Sequence, residues 1–330
     1  MQDDILRLAY KVSRITEEKV DRIDRVMKQT GMLAINARLE AARAGDAGRA
    51  FSVVAQELGQ LATSISSNIA SLRTAGSQML VDFKGTRHTD LARSAVEIID
   101  RNLYERSCDV RWWATDSSVT DVLEDPSDAN IAHATERLAT ILRSYTVYLD
   151  LWVADGTGRV IATGRPDRYP DAIGQNVINE DWFRAAMGTQ SGDDFRVCDI
   201  STNRTLDDAQ VATYSTAVRA GGRTRGQVVG ALGIFFDWAP QAAAILDGIG
   251  LSLAERATSR LMLLDAGHRI IAASDGEGIC TDIYPLMPDK RDSGYYQRDG
   301  KLVAFAVTPG YETYRGLGWL GCIESEMSKE

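Results

Sequence analysis

Hydrophobic and small residues near the start of the chain recur at alternating steps of four and three. Ile5, Ala9, Val12 and Thr16, then Ile23, Val26, Thr30, Leu33 and Ala37, form one stripe whose single charged interruption is Lys19. Phe51, Val54, Leu58, Leu61, Ile65 and Leu72 resume the same spacing. Such a period predicts two amphipathic helices in heptad register. Between them, Ala44-Gly45-Asp46-Ala47-Gly48 breaks the pattern. Glycine takes positive φ without steric cost, so the chain is expected to stop and reverse there. Each arm of roughly 35–40 residues reaches about 50–60 Å. One narrow apolar stripe per arm buries little by itself, so a four-helix bundle built by two chains, a homodimer, is the economical arrangement.

The residues Val81-Asp82-Phe83-Lys84-Gly85-Thr86 interrupt the helical spacing and read as a joint. A long helix is expected from Asp90 to Leu123, stopped by Asp125-Pro126-Ser127. Ser127 or Asp128 then caps a helix running through Ile131, Ala134, Leu138 and Leu142. From Thr146 the period changes to two. Val147, Leu149, Leu151 and Val153 alternate with Tyr148, Asp150 and Trp152. Asp155-Gly156-Thr157-Gly158 is a hairpin turn signal, and residues 159–163 form the returning strand. A short helix starts at Asp181, and three more strands follow at 195–199, 211–218 and 227–237, completing a five-stranded antiparallel sheet of PAS-like character. After a helix over 239–253, residues 260–274 repeat the strand–turn–strand theme, with further strands at 302–308 and 317–323. The expected fold class is α+β: an N-terminal antiparallel helical hairpin coiled coil, then a long helix and two tandem PAS-like antiparallel-sheet units. The expected boundaries are 1–82 for the hairpin, 83–145 for the linker and long helices, 146–245 for the first sheet unit and 246–330 for a second, smaller one.

The residue identities at the hairpin go beyond heptads. Leu33-Ala34-Ile35-Asn36-Ala37, Glu40 to Gly45, Gly48, Arg49, Phe51, Val53, Val54, Ala55, Glu57, Leu61 and Ala62 closely resemble the kinase-control tip of bacterial methyl-accepting chemotaxis receptors. The likeness is high over about a tenth of the chain and looser over its first 80 residues. It implies a signal transducer whose tip binds a histidine kinase and a coupling protein. Carried over by position, Ile35, Asn36, Glu40 and Arg43 would lie at contacts between dimers, while Arg49, Val53 and Val54 would face the kinase assembly. Lys28, Gly31, Arg38, Ala50 and Ser52 depart from the usual residues. Thr16-Glu17-Glu18 faintly resembles a methylation site, but the pattern around it is incomplete and regulated methylation is not expected.

A second resemblance covers about residues 87–322. The segments IDRNLYERSCDVRWWATD, VADGTGRVIATG, DWFRAAM and GALGIFFDW are similar to double Cache sensor modules, the ligand-binding units of many bacterial receptors. The resemblance implies a small ligand held in the first PAS-like unit, with Trp182 and Phe183 as the closing aromatic pair. Asp199 stands where an acid often takes a ligand ammonium, and Tyr214 offers a hydroxyl. Tyr148, Asp150 and Trp152 join them as candidate ligand residues. A core-packing role for the aromatics and a solvated-turn role for Asp199 are the alternatives; Asp237 reads as a helix cap. Amino-acid-binding members carry an arginine two residues before the tryptophan, where this chain has Glu180. A carboxylate clamp needs a guanidinium, so an amine or a flat nitrogen heterocycle is favoured, while Arg196, Arg204 and Arg219 keep amino acids and carboxylates open.

Composition removes other classes. The 330-residue chain carries a net charge of −9, so nucleic acid is not an expected partner. Its four cysteines, Cys108, Cys198, Cys280 and Cys322, are too scattered for a metal site and read as buried free thiols. His88, His133 and His268 stand apart, and no nucleophile or phosphate-loop motif occurs; no enzyme, catalytic residue, metal or cofactor is expected. No run approaches the roughly 18 apolar residues of a membrane span, and the acidic start is unlike a signal peptide, which gives a cytoplasmic reading without membrane insertion. The leading expectation is a chemoreceptor-like transducer; the alternative is a ligand-binding dimeric module whose hairpin only dimerises or tethers.

Overall fold

The structure is a computed structural model that describes residues 2–327, with the side chains of residues 2–10 and 13 outside the description, Ile5 and Ala9 among them. The chain divides at Arg87/His88 into two compact units.

The helical unit is built from α1 (Gln2–Arg43), a 3₁₀ turn over Gly45–Gly48 and the first part of α2 (Arg49–Trp113). The expected reversal is present. Gly45 holds φ +60°, and a Cβ on Gly48 would lie 2.0 Å from the Ala41 carbonyl oxygen, so the arms meet where no side chain fits. The arms face each other through residues spaced by multiples of seven, all buried: Val20, Ala34 and Ala41 on α1 against Gly48 at the end of the turn and Ala55, Ala62 and Ile69 on α2. This small-residue seam was not the stripe that the spacing of large residues had marked. Leu33 is 65% exposed, Phe51 58% and Val54 58%, and Val12, Ile23, Val26, Leu58, Leu61 and Leu72 are also exposed. Small residues win the seam between arms because they let two backbones approach closely, and the larger side chains are turned outward. Asp21 and Arg73 pair across the arms.

The expected joint at 81–86 is absent: α2 runs through it without interruption. A lone glycine costs a helix only about 1 kcal/mol relative to alanine, and Gly85 is buried within α2. The long helix ends at Trp113 rather than Leu123. Asp116 starts a separate α3 (Ser117–Glu124), its carboxylate accepting from the Ser118 amide at 3.0 Å and hydroxyl at 2.7 Å.

In the unit from His88 onward, α4 (Asp128–Ser144) leads into β1 (Tyr148–Asp155) and β2 (Val160–Thr163). There follow α5 (Asp181–Met187), β3 (Arg196–Asn203), β4 (Ala209–Arg219) and β5 (Val228–Asp237). The expected single helix after β5 is two, α6 (Trp238–Gly248) and α7 (Leu253–Ala257), divided at Gly248–Gly250; Ser252 and Glu255 form a capping box for α7. The second sheet contains β6 (Ser259–Leu264), β7 (Ile270–Ala273), β8 (Ser293–Arg298), β9 (Lys301–Val307) and β10 (Leu320–Glu326). Both sheets are antiparallel and share one strand order, β2-β1-β5-β4-β3 and β7-β6-β10-β9-β8. β8 was missed from the sequence, although Asp299-Gly300 after Tyr295-Tyr296 is a hairpin signal and both turn residues hold positive φ.

One continuous core joins the inner faces of both sheets to α2, α3, α4 and α6. Each outer face carries its own core, around Trp152, Trp182 and Phe235 in the first sheet and around Met262, Tyr284 and Phe305 in the second.

Candidate functional site

Strand β1 does not keep the simple alternation read from its sequence. Its pairing with β5 slips between Tyr148 and Asp150, and such a bulge shifts the phase of the side chains. Tyr148 therefore joins Leu151 and Val153 in the inner core, whereas Trp152 joins Leu149 and Ala154 in the outer one.

The outer face gathers Asp150, Trp152, Trp182 and Phe183. Trp152 packs on Phe235 with ring centroids 4.2 Å apart, and Trp182 lies 5.8 Å from both Phe183 and Phe235 in edge-on contact. Gly233 makes room for the Trp182 indole: a Cβ there would lie 2.8 Å from its Cζ3. Asp150 is fully buried. Its Oδ1 accepts from the amides of Leu151 (2.8 Å) and Gly164 (3.0 Å), and its Oδ2 from the Trp152 indole N–H (2.9 Å). Burial nevertheless raises its pKa to about 6 against the pull of those three donors and of Arg165.

Other candidates lie elsewhere. The Tyr148 hydroxyl donates to Asp109 Oδ2 at 2.5 Å, beneath the Arg106 guanidinium, which pairs with Asp109 at 3.1 Å. Burial holds the Tyr148 and Tyr214 phenols well above their ordinary range. Tyr214 sits in the inner core, stacked with Phe195. Asp199 accepts from the Ile200 amide at 2.8 Å and from the Trp319 indole at 3.0 Å, so it ties β3 to the second sheet's side of the core; burial is the main cause of its raised pKa. Asp237 occupies the N-cap position of α6 but makes no side-chain cap bond. Glu180 is exposed at the start of α5. Arg219 is committed to the carbonyls of Gly226 and Thr189. Only Cys322 of the four free cysteines is buried; the others are half-buried.

Sequence reasoning passed over two polar groups of the outer face. The Tyr169 hydroxyl and Thr163 Oγ1 are shut from water and have no hydrogen-bond partner among the described residues. Tyr169 lies in the strap after β2, and Thr163 stands directly opposite Trp152 in the sheet. A separate surface concavity of ≈ 510 Å³ lies between α4 and residues 164–168, lined by Ala132, Glu136, Ala139, Arg165 and Arg168 among others. Among the described residues, no group of three or more His, Cys, Asp or Glu is arranged to hold a metal ion, and no helix is long and apolar enough to cross a membrane.

At the hairpin, all of Ile35, Asn36, Glu40, Arg43, Arg49, Val53 and Val54 are exposed. Glu40 pairs with Arg43 at 3.2 Å, and Asp46 with Arg49 at 2.5 Å across the turn. The tip thus presents bare valine and isoleucine beside paired charges.

Comparison with known proteins divides along the same lines. Residues 2–77 match the family model of the methyl-accepting chemotaxis protein (MCP) signalling domain. The chain is 51% identical over 53 residues to methyl-accepting chemotaxis protein CtpH of Pseudomonas aeruginosa, covering 16% of this chain and 9% of that protein. It is 36% identical over 90 residues to the putative sensory transducer protein YfmS of Bacillus subtilis, covering 25% and 32%. The chain thus spans a third or less of the length of these relatives. The sheet-bearing part has the fold of bacterial sensor domains. The V. cholerae histidine kinase DctB sensor domain superposes with a TM-score of 0.56 at 13% identity, covering 76% of this chain and 99% of that one. The ligand-binding domain of the Campylobacter jejuni chemoreceptor Tlp3, in complex with L-valine, gives 0.52 at 16% identity, covering 76% and 95%. The two tandem antiparallel-sheet units expected from the sequence have this fold.

Proposed function

We propose that the chain is a chemoreceptor-like signal transducer, in which a dimeric helical hairpin engages a histidine kinase and its coupling protein while the sheet-bearing unit binds a small metabolite. One observation carries the reading: a hairpin that satisfies its own seam with small residues and leaves Leu33, Phe51, Val54 and Leu61 exposed. Side chains of that size are kept outward at a cost in solubility unless another surface covers them. A second copy covers the stripe along the arms, and the coupling protein and kinase engage the tip around Arg49, Val53 and Val54. The ligand lies on the outer face of the first sheet, among Trp152, Trp182 and Phe183. Because α2 contributes residues to both units, a ligand that favours one state of the sheet unit biases the hairpin by its differential affinity. The reading places the protein in the cytoplasm, where the kinase partners of such tips reside.

The test is co-sedimentation and kinase activity in assemblies reconstituted from the full chain, a chemotaxis histidine kinase and a coupling protein. Arg49→Glu reverses the charge at the tip and is expected to abolish both. Unchanged kinase activity in the presence of the wild-type chain would remove kinase control. That outcome would favour the second reading, a ligand-binding module whose hairpin only dimerises or tethers. Lys28 supports that alternative, since it places an exposed cation, paired with Asp24 at 2.8 Å, where related tips carry an aromatic residue.

A further inference from the structure

The two orphaned hydroxyls of the first sheet's outer face are costly as they stand. A buried donor or acceptor without a partner forfeits its hydration with nothing in return. Tyr169 belongs to the outer core with Trp152, Trp182 and Phe235, Thr163 stands opposite Trp152 in the sheet, and both residues are at least nine-tenths buried. The charged groups around them are already engaged or lie at the rim. Asp150 accepts three N–H bonds, and Arg165 donates to the carbonyl oxygens of Leu149 (2.9 Å) and Leu142 (3.5 Å). Arg168 lies over the Tyr169 ring at 5.0 Å, and Arg168 and Asp207 are both exposed to water. An ion carried inward would have to displace these contacts and compete with the attraction between Asp150 and Arg165 for a counter-charge, and burying a charge that stays unpaired is prohibitive.

Resting on the reading that this face binds a metabolite, we propose that Thr163 and Tyr169 are its specificity-determining residues, and that the part of the ligand they hold is flat and uncharged. Each hydroxyl donates one hydrogen bond and accepts others, so the matching group carries both a donor and an acceptor, as a carboxamide or a lactam-type nitrogen heterocycle does. The aromatic side chains supply the faces against which such a ring stacks. Entry requires the strap over residues 164–178 to lift. That strap is pinned by the Val177 amide to the Gly158 carbonyl at 2.7 Å and by the Arg159–Asn176 bridge. The ligand class follows from charge bookkeeping alone: amines and carboxylates, both open from the sequence, lose to neutral rings.

The experiment uses the full chain and a library of aromatic rings, each in three matched forms: carboxamide, carboxylate and aminomethyl. Binding is followed through the indole N–H signals of Trp152 and Trp182. Carboxamides alone are expected to shift them. Thr163→Val and Tyr169→Phe are each expected to weaken that binding at least tenfold while leaving the melting temperature unchanged or higher, since neither removed hydroxyl has a hydrogen-bond partner among the described residues. Shifts led by the carboxylate or aminomethyl forms would overturn the proposal and leave metabolite binding at this face intact. Signals that move only elsewhere would also overturn it and leave a small-molecule sensor standing, whereas no movement anywhere would remove both. Variants that melt lower while binding normally would assign the hydroxyls to an ordered water and end the proposal.

Discussion

The hairpin and the sheet-bearing unit treat large apolar side chains in opposite ways. Apart from Val20 and Ile69, the hairpin buries alanine and glycine, and it exposes Leu33, Val54 and Phe51. The sheet unit buries Trp152, Trp238, Trp319, Phe235, Phe236 and Phe305 almost completely. Burying a large apolar side chain is worth about 1.5–3 kcal/mol, so the sheet unit carries its stability within itself. The hairpin leaves most of the equivalent gain to be made against another surface. On the proposed function, a region organised for assembly and a region organised for autonomous folding sit in one chain, and the difference is visible in side-chain size.

Substitutions sharpen that contrast. Gly48→Val places a side chain where the Ala41 carbonyl stands 2.0 Å from the glycine's Cβ position. It should destabilise the reversal by about 3 kcal/mol, at the upper end for overpacking. Hydrogen exchange at the Ala41 and Ala55 amides reads this loss, and the sheet unit should be unaffected.

The next effect belongs to the sheet unit alone. Folding raises the Asp150 pKa to about 6 from an ordinary 3.8. The protonated carboxyl is thus favoured in the folded state. Its contribution is full below about pH 3.8 and is lost as pH rises to about 6, a change of about 3 kcal/mol. Asp150→Asn should flatten the stability–pH curve across that window in chemical denaturation, whatever its effect on absolute stability. An unchanged slope would contradict the assignment.

Gly233→Ala meets the Trp182 ring, where the added Cβ lies 2.8 Å from Cζ3. A cost of about 1–2 kcal/mol is expected, read by thermal melting and by a shift in tryptophan emission. The smallest effect is Arg73→Ala. It removes a pair with Asp21 in which both side chains are about half exposed, so the loss should stay below about 1 kcal/mol and fade with salt.

Much of the architecture was legible because each element has a strong local signal. Gly45 and Gly48 announced the reversal, and Asp155-Gly156 announced the first hairpin. The small-residue seam was harder to read, because Ala34, Ala41, Ala55 and Ala62 carry almost no hydropathy contrast; their meaning lies in how closely backbones approach. At the candidate site, the outer-face grouping of Trp152, Trp182 and Phe183 followed from residue type and resemblance. The placement of Tyr148 did not, since one bulge at 148–150 changes the face without leaving a mark in the hydrophobic pattern. Asp199 has the residue type of a ligand acid, yet its partner is Trp319, some 120 residues away. Thr163 and Tyr169 give no sequence signal at all, because an unpartnered hydroxyl is a property of its surroundings.

Sedimentation equilibrium of the full chain, wild type beside Leu33→Glu, tests the central claim most directly. The account predicts a wild-type dimer at micromolar concentration and a monomer of unchanged helix content for the variant. A wild-type chain that stays monomeric at those concentrations, or a Leu33→Glu dimer of equal affinity, would contradict it.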